Sequence, residues 1–145
     1  MTTGYDFWDT PGAGHSHGAM DADECWALLS TQVTGRVGFM RDGRIFIFPV
    51  NYLVHDRAVY FRTSSTGDLG RGPLDRVAFQ VDQASPAVMS GWSVLMQGSS
   101  AVVEDKSLLA TVWGRMVNEP WAGGDRRQLI QVMPSSLVGR RVGTT

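Results

Sequence analysis

The chain has 145 residues, of which 43% are hydrophobic and 19% charged, with a net charge of -1. This suits one folded domain with a real core, and excludes both a disordered chain and a broad basic field for nucleic acid. No apolar run approaches the ~18–20 residues of a membrane-spanning helix, and a single cysteine, Cys25, excludes an internal disulfide and a cysteine-cluster metal site.

The first 20 residues carry Gly, Thr, Ser and Pro in no period and read as a flexible arm. They lack a charged segment leading into an apolar one, so no secretory signal is expected and the protein is read as cytoplasmic. His15 and His17 stand two apart, but two ligands on an arm make a poor metal site, and none is predicted.

The folded domain is expected to span residues 21–142. Asp21 followed by Glu24 resembles a capping box, and Cys25, Leu28 and Leu29 then mark one apolar helical face. On that face Cys25 reads as a small core residue, not a nucleophile. Residues 35–41 alternate, with Val37 and Phe39 on one side, and Asp42-Gly43 is a two-residue hairpin signal.

The strand that follows, residues 44–54, is apolar on both faces: Ile45, Ile47 and Leu53 oppose Phe46, Phe48, Val50 and Tyr52. A small barrel buries one face alone, so the second predicts a partner, and the chain is read as a homodimer. Pro49 has no N–H for a ladder and marks a bulge or a local edge. A third strand, residues 57–63, runs into the polar loop Thr63-Ser64-Ser65-Thr66-Gly67.

Residues 75–82 alternate, with Val77, Phe79 and Val81 inward. Residues 90–104 form a long strand in which Gly91 and Gly98 suggest bulges or the sharp coiling that barrel closure requires. Leu108, Leu109, Val112, Trp113, Met116 and Val117 then give an amphipathic helix, ended by Glu119-Pro120 and followed by a loop over residues 121–127. A last strand, residues 128–142, is interrupted near Pro134. The fold class is therefore mainly β, a small barrel with about two flanking helices. Five tryptophans and six phenylalanines exceed what one small core needs, and aromatics line interfaces and planar-ligand pockets.

The ordered set of segments resembles the pyridoxamine 5′-phosphate-oxidase-related, FMN-binding split-barrel family. The matching pieces are Gly-Arg-Val-Gly-Phe (residues 35–39), Pro-Val-Asn-Tyr (49–52), Val-Tyr-Phe-Arg-Thr-Ser-Ser (59–65), residues 77–82, Ser90 with Trp92-Ser93-Val94, and residues 134–141. The resemblance covers about residues 21–142 and implies a split β-barrel dimer with two flavin sites at the subunit interface. It implies that Phe48, Pro49, Val50 and Asn51 face the flavin ring edge, that Thr63, Ser64 and Ser65 lie near the ribityl chain and phosphate, and that Trp92 and Ser93 close the pocket. It also implies an oxidoreductase acting on a small molecule, whose catalytic residues the sequence does not reveal.

The chain departs from that family at Asp68, where a lysine or arginine is usual. A carboxylate there repels a phosphate. Arg71 is the expected substitute, with Arg62 and Arg140 as alternatives. The competing reading is a non-catalytic binding or sensing module that has lost or weakened FMN binding. Pyridoxamine phosphate oxidation itself is not expected, because members with that activity resemble one another through a basic, aromatic segment after the position of Arg141.

Overall fold

In the computed structural model, residues 15–116 and 128–144 are described. They run β1 (His15–Met20), α1 (Ala22–Leu29), β2 (Thr34–Arg41), β3 (Arg44–His55), β4 (Ala58–Thr63), β5 (Leu74–Ser85), β6 (Ser90–Val102), α2 (Lys106–Arg115) and β7 (Gln128–Thr144). Neighbouring strands follow the order β1-β7-β4-β3-β2-β5-β6, and β6 pairs again with β7, so β2 to β7 close into a ring. Every pairing is antiparallel. The fold is the mainly β, two-helix split barrel that the sequence predicts. No helix among the described residues is long and apolar enough to cross a membrane.

Alternation builds the interior. Val37, Phe79, Val94 and Val132, from four different strands, are completely buried. β4 is buried on both faces: Val59 and Phe61 enter the barrel, while Ala58 and Tyr60 form a second cluster with Val112 of α2 and Leu129 of β7. The hairpin signal holds, since Asp42 and Gly43 take φ of 53° and 74° and join Arg41 to Arg44. The Asp21 carboxylate accepts from the Glu24 N–H at 2.9 Å and caps α1. The buried face of α1 is Cys25, Trp26 and Leu29, so Trp26 joins the face that the sequence assigns to Cys25, Leu28 and Leu29.

Three expectations need revision. The arm read over residues 1–20 ends in structure, because His15–Met20 pairs with β7 from His15↔Thr144 to Met20↔Gly139; residues 1–14 lie outside the described residues. Gly91 sits in unbroken register, whereas a shift does occur between Gln97 and Gly98. There a Cβ on Gly98 would stand 1.9 Å from the Met133 carbonyl oxygen, so only glycine fits. Finally, the interruption expected near Pro134 is a register shift and not a break: Gln97↔Ser136 is followed by Gly98↔Pro134, so Ser135 is the extra residue, and β7 continues to Thr144. The helix end at Glu119-Pro120 and the loop of residues 121–127 lie outside the described residues.

Candidate functional site

The barrel opens between β3 and β4. Their pairing covers only Tyr52↔Phe61 to His55↔Ala58, yet β3 continues to Arg44 on β2 alone. The Tyr52 N–H donates to the Val33 carbonyl at 3.0 Å, on the β2 side. Strand alternation therefore turns the backbone groups of Asn51, Pro49 and Ile47 toward the unpaired side. Pro49 thus marks a local edge, where its missing N–H breaks no ladder; the β2–β3 register passes through Arg36↔Pro49 without a bulge. Phe48 stays partly exposed and joins Phe39 and Phe46 in an aromatic cluster with centroids 5.2–5.6 Å apart.

β4 ends at Thr63, where the departing strand enters the hydroxyl-rich loop. Thr63 is buried, Ser64 half-buried and Ser65 exposed. The Ser64 hydroxyl lies 3.0 Å from the Thr66 hydroxyl and accepts from the Thr66 N–H at 3.2 Å. Buried Leu69 anchors the loop, and the Gln128 amide donates to the Gly70 carbonyl. Thus Phe48, Pro49, Val50 and Asn51 lie on the stretch of β3 that β4 leaves unpaired, and Thr63, Ser64 and Ser65 lie at the end of β4 beyond its last pair with β3.

Four charged groups surround this loop. Arg71 pairs with Asp42 at the tip of the β2–β3 hairpin and, at 3.5 Å, with Asp68. The Asp42 hydrogen bond, ahead of its charge and that of Asp68, pushes the Arg71 pKa further up. Arg41 Nε donates to the Asp68 carbonyl, and its Nη2 donates to the Gly72 carbonyl at 3.0 Å.

A cavity of about 240 Å³ opens on the far side of Asn51, between the end of α1, the outer face of β3 and β4, and the end of α2. Leu29, Val33 and Leu53 give it apolar walls, and Asn51, Arg62 and Arg115 bring polar groups. The Arg62 guanidinium lies 4.8 Å from the Trp113 ring centroid, and Arg115 Nη1 is 2.8 Å from His55 Nδ1. Nearby, Tyr52 donates its hydroxyl to the Leu29 carbonyl, and burial pushes its phenol pKa well up. The sequence reading missed this cavity. The available signal was Arg62, a cation two residues from Tyr60 and so on the same strand face as a buried aromatic.

The sequence profile of the pyridoxamine 5′-phosphate oxidase family matches residues 21–141. The chain belongs to that family. A protein of Mycobacterium tuberculosis is 32% identical in an alignment of 129 positions that covers 85% of this chain and 84% of that protein. The FAD binding protein of Mycobacterium smegmatis is 30% identical, with a TM-score of 0.70 over 86% of this chain and 98% of that one. A FAD-binding protein of Mesorhizobium loti shares the fold at 18% identity, with a TM-score of 0.71 over 90% of this chain and 99% of that one.

Two residues that the family resemblance singled out lie elsewhere in the chain. Trp92 and Ser93 sit on β6, which is three strands from β3 in either direction around the ring. Trp92 packs against the barrel core, and Ser93 pairs with Asp82 and Arg140. One chain therefore does not bring them to the opening between β3 and β4. Arg71, the substitute expected for the family cation, does reach the loop, but it is engaged there by Asp42 and Asp68.

Proposed function

We propose that this family member binds a flavin in the opening between β3 and β4 and acts as a flavin-dependent oxidoreductase on a small molecule. The observation that carries the reading is the unpaired edge of β3 facing a loop of hydroxyls. A flavin ring presents alternating donors and acceptors along one edge, and an unpaired strand offers the complementary N–H and C=O groups. Asn51 supplies both, and Pro49 supplies a carbonyl only. Thr63, Ser64 and Ser65 would hold the ribityl and phosphate part by hydroxyl and N–H groups. FMN, the expectation from sequence, and FAD, the ligand named for the M. smegmatis relative, share that part, so the loop addresses both. When bound, the flavin supplies hydride and electron transfer.

The charge at Asp68 fits this reading better in the structure than in the sequence. Arg71 lies 3.5 Å from its carboxylate and offsets part of that charge. The cavity beside Asn51 has the size for a small organic substrate, and Asn51, Arg62 and Arg115 give it polar groups to orient one.

The homodimer belongs to the same proposal. Ile45, Ile47 and Met40 are 75%, 67% and 58% exposed on the outer face of β2 and β3. Across that face the register runs Ile47, Gly38, Ala78, Gln97, Ser136, a row with small residues at its centre. Such a surface suits a flat self-complementary contact of roughly the standard ~1,600 Å². Two copies are also the way for Trp92 and Ser93 to join an opening that their own barrel keeps from them.

The non-catalytic alternative is favoured by one observation: Arg71, the expected phosphate cation, is already engaged by two carboxylates. The two readings separate on purified protein. A flavin-dependent enzyme carries or takes up flavin, absorbs at about 450 nm and bleaches on reduction. A module that has lost the cofactor does none of these.

A further inference from the structure

We propose that Arg41, at the end of β2, is the cation that receives the cofactor phosphate in place of the family's loop lysine or arginine. The inference rests on the flavin reading and names a residue outside the loop where the family cation is expected, because Arg41 lies 27 positions before Asp68, at the end of β2.

Charge balance around the loop singles it out. Arg71 is the obvious candidate by position, but Asp42 and Asp68 both pair with it. Those three groups alone sum to one negative charge. Arg41 brings the sum to zero without forming an ion pair among the described residues. Its hydrogen-bond partners among the described residues are carbonyl oxygens, of Asp68 and Gly72. A carbonyl orients a guanidinium but does not neutralise it. Arg41 is half-buried, and both carbonyls belong to the segment that follows the Ser64–Thr66 hydroxyls. The guanidinium has five N–H groups, and these bonds use two, leaving donors for a phosphate. The chain thereby replaces a cation on the loop by a cation clamped to the loop from the neighbouring hairpin.

The test compares FMN with riboflavin, which lacks only the phosphate, on the full chain freed of any bound flavin. Affinities are read by quenching of flavin fluorescence for the wild type, Arg41→Gln, Arg41→Lys and Arg71→Gln. The expected result is that Arg41→Gln weakens FMN at least tenfold and riboflavin less than twofold, that Arg41→Lys recovers most of the loss, and that Arg71→Gln weakens FMN less than Arg41→Gln does. An equal loss for FMN and riboflavin in Arg41→Gln would show a loop clamp and no phosphate contact, and would overturn the inference while leaving the flavin reading in place. An unchanged FMN affinity would do the same. Wild-type protein that binds neither flavin overturns the flavin reading and this inference with it.

Discussion

The two halves of β3 have the same apolar composition and opposite fates. Tyr52–His55 pairs with β4, and the Tyr52 N–H donates to the Val33 carbonyl on the other side, with Tyr52 buried in the barrel and Leu53 under α2. The half from Arg44 to Asn51 pairs with β2 only and leaves Ile45 and Ile47 exposed. The difference comes from β4, which turns away at Thr63 after six residues while β3 runs for twelve. An apolar strand left open on an edge and on a face is a liability unless something covers it. The proposed flavin covers the edge, and the proposed second copy covers the face.

The comparison breaks most sharply under substitution in the closed half. Phe61 is completely buried and pairs with Tyr52 where the two strands last meet. Phe61→Ala should cost about 3–5 kcal/mol in urea unfolding. A loss under ~1 kcal/mol would mean that the closed half is not the core. In the open half a substitution should act through association. Ile47→Asp should convert the dimer to monomer in sedimentation and remove the protein-concentration dependence of the urea midpoint that a dimer shows. Wild-type protein that sediments as a monomer at micromolar concentration would remove the dimer from the account.

How much of this was legible follows from the same contrast. The barrel interior was readable because alternation in Val37-Phe39 and Val77-Phe79-Val81 reports burial directly, and Asp42-Gly43 fixes the hairpin that sets the β2–β3 register. The double apolar face of β3 was readable as well, but its split was not. Where β4 leaves β3 depends on the 63–72 loop, whose anchors Leu69 and Gln128 act from far apart in sequence. Charge compensation was hidden for the same reason. Asp68 reads as a defect until Arg71 and Arg41 are seen around it, and Arg41 arrives from 27 residues away. Strand β1 was invisible because its Gly- and His-containing segment has no period of its own and gains order only by pairing with β7.

Smaller effects sharpen the account at the loop and at the hinge between the halves. Asp68→Lys removes a carboxylate from the phosphate side and adds a cation, so FMN affinity should rise about tenfold, equivalent to ~1.4 kcal/mol. Riboflavin should hardly respond, and an equal response would place Asp68 away from the phosphate. Tyr52→Phe removes the hydrogen bond to the Leu29 carbonyl and should cost about 0.5–1.5 kcal/mol at neutral pH. The sign with pH follows from burial, which raises the Tyr52 phenol above its unfolded value of about 10. Its contribution is complete below that value and is lost as pH rises beyond it, because the unfolded chain ionises first. Unfolding midpoints of the wild type should therefore fall more steeply than those of Tyr52→Phe above roughly pH 10. Parallel curves would mean that the phenol is not held neutral by the fold.

The claim on which the rest depends is that the open half of β3 and the loop after β4 hold a flavin. Titration of flavin-free protein with FMN, followed by fluorescence quenching and by equilibrium dialysis, tests it most directly. The account predicts saturable binding of one flavin per chain, with FAD and riboflavin competing for the same site. Absence of saturable binding of FMN, FAD and riboflavin at concentrations up to about 1 mM, where a site contributing as little as ~4 kcal/mol would still be seen, would contradict it.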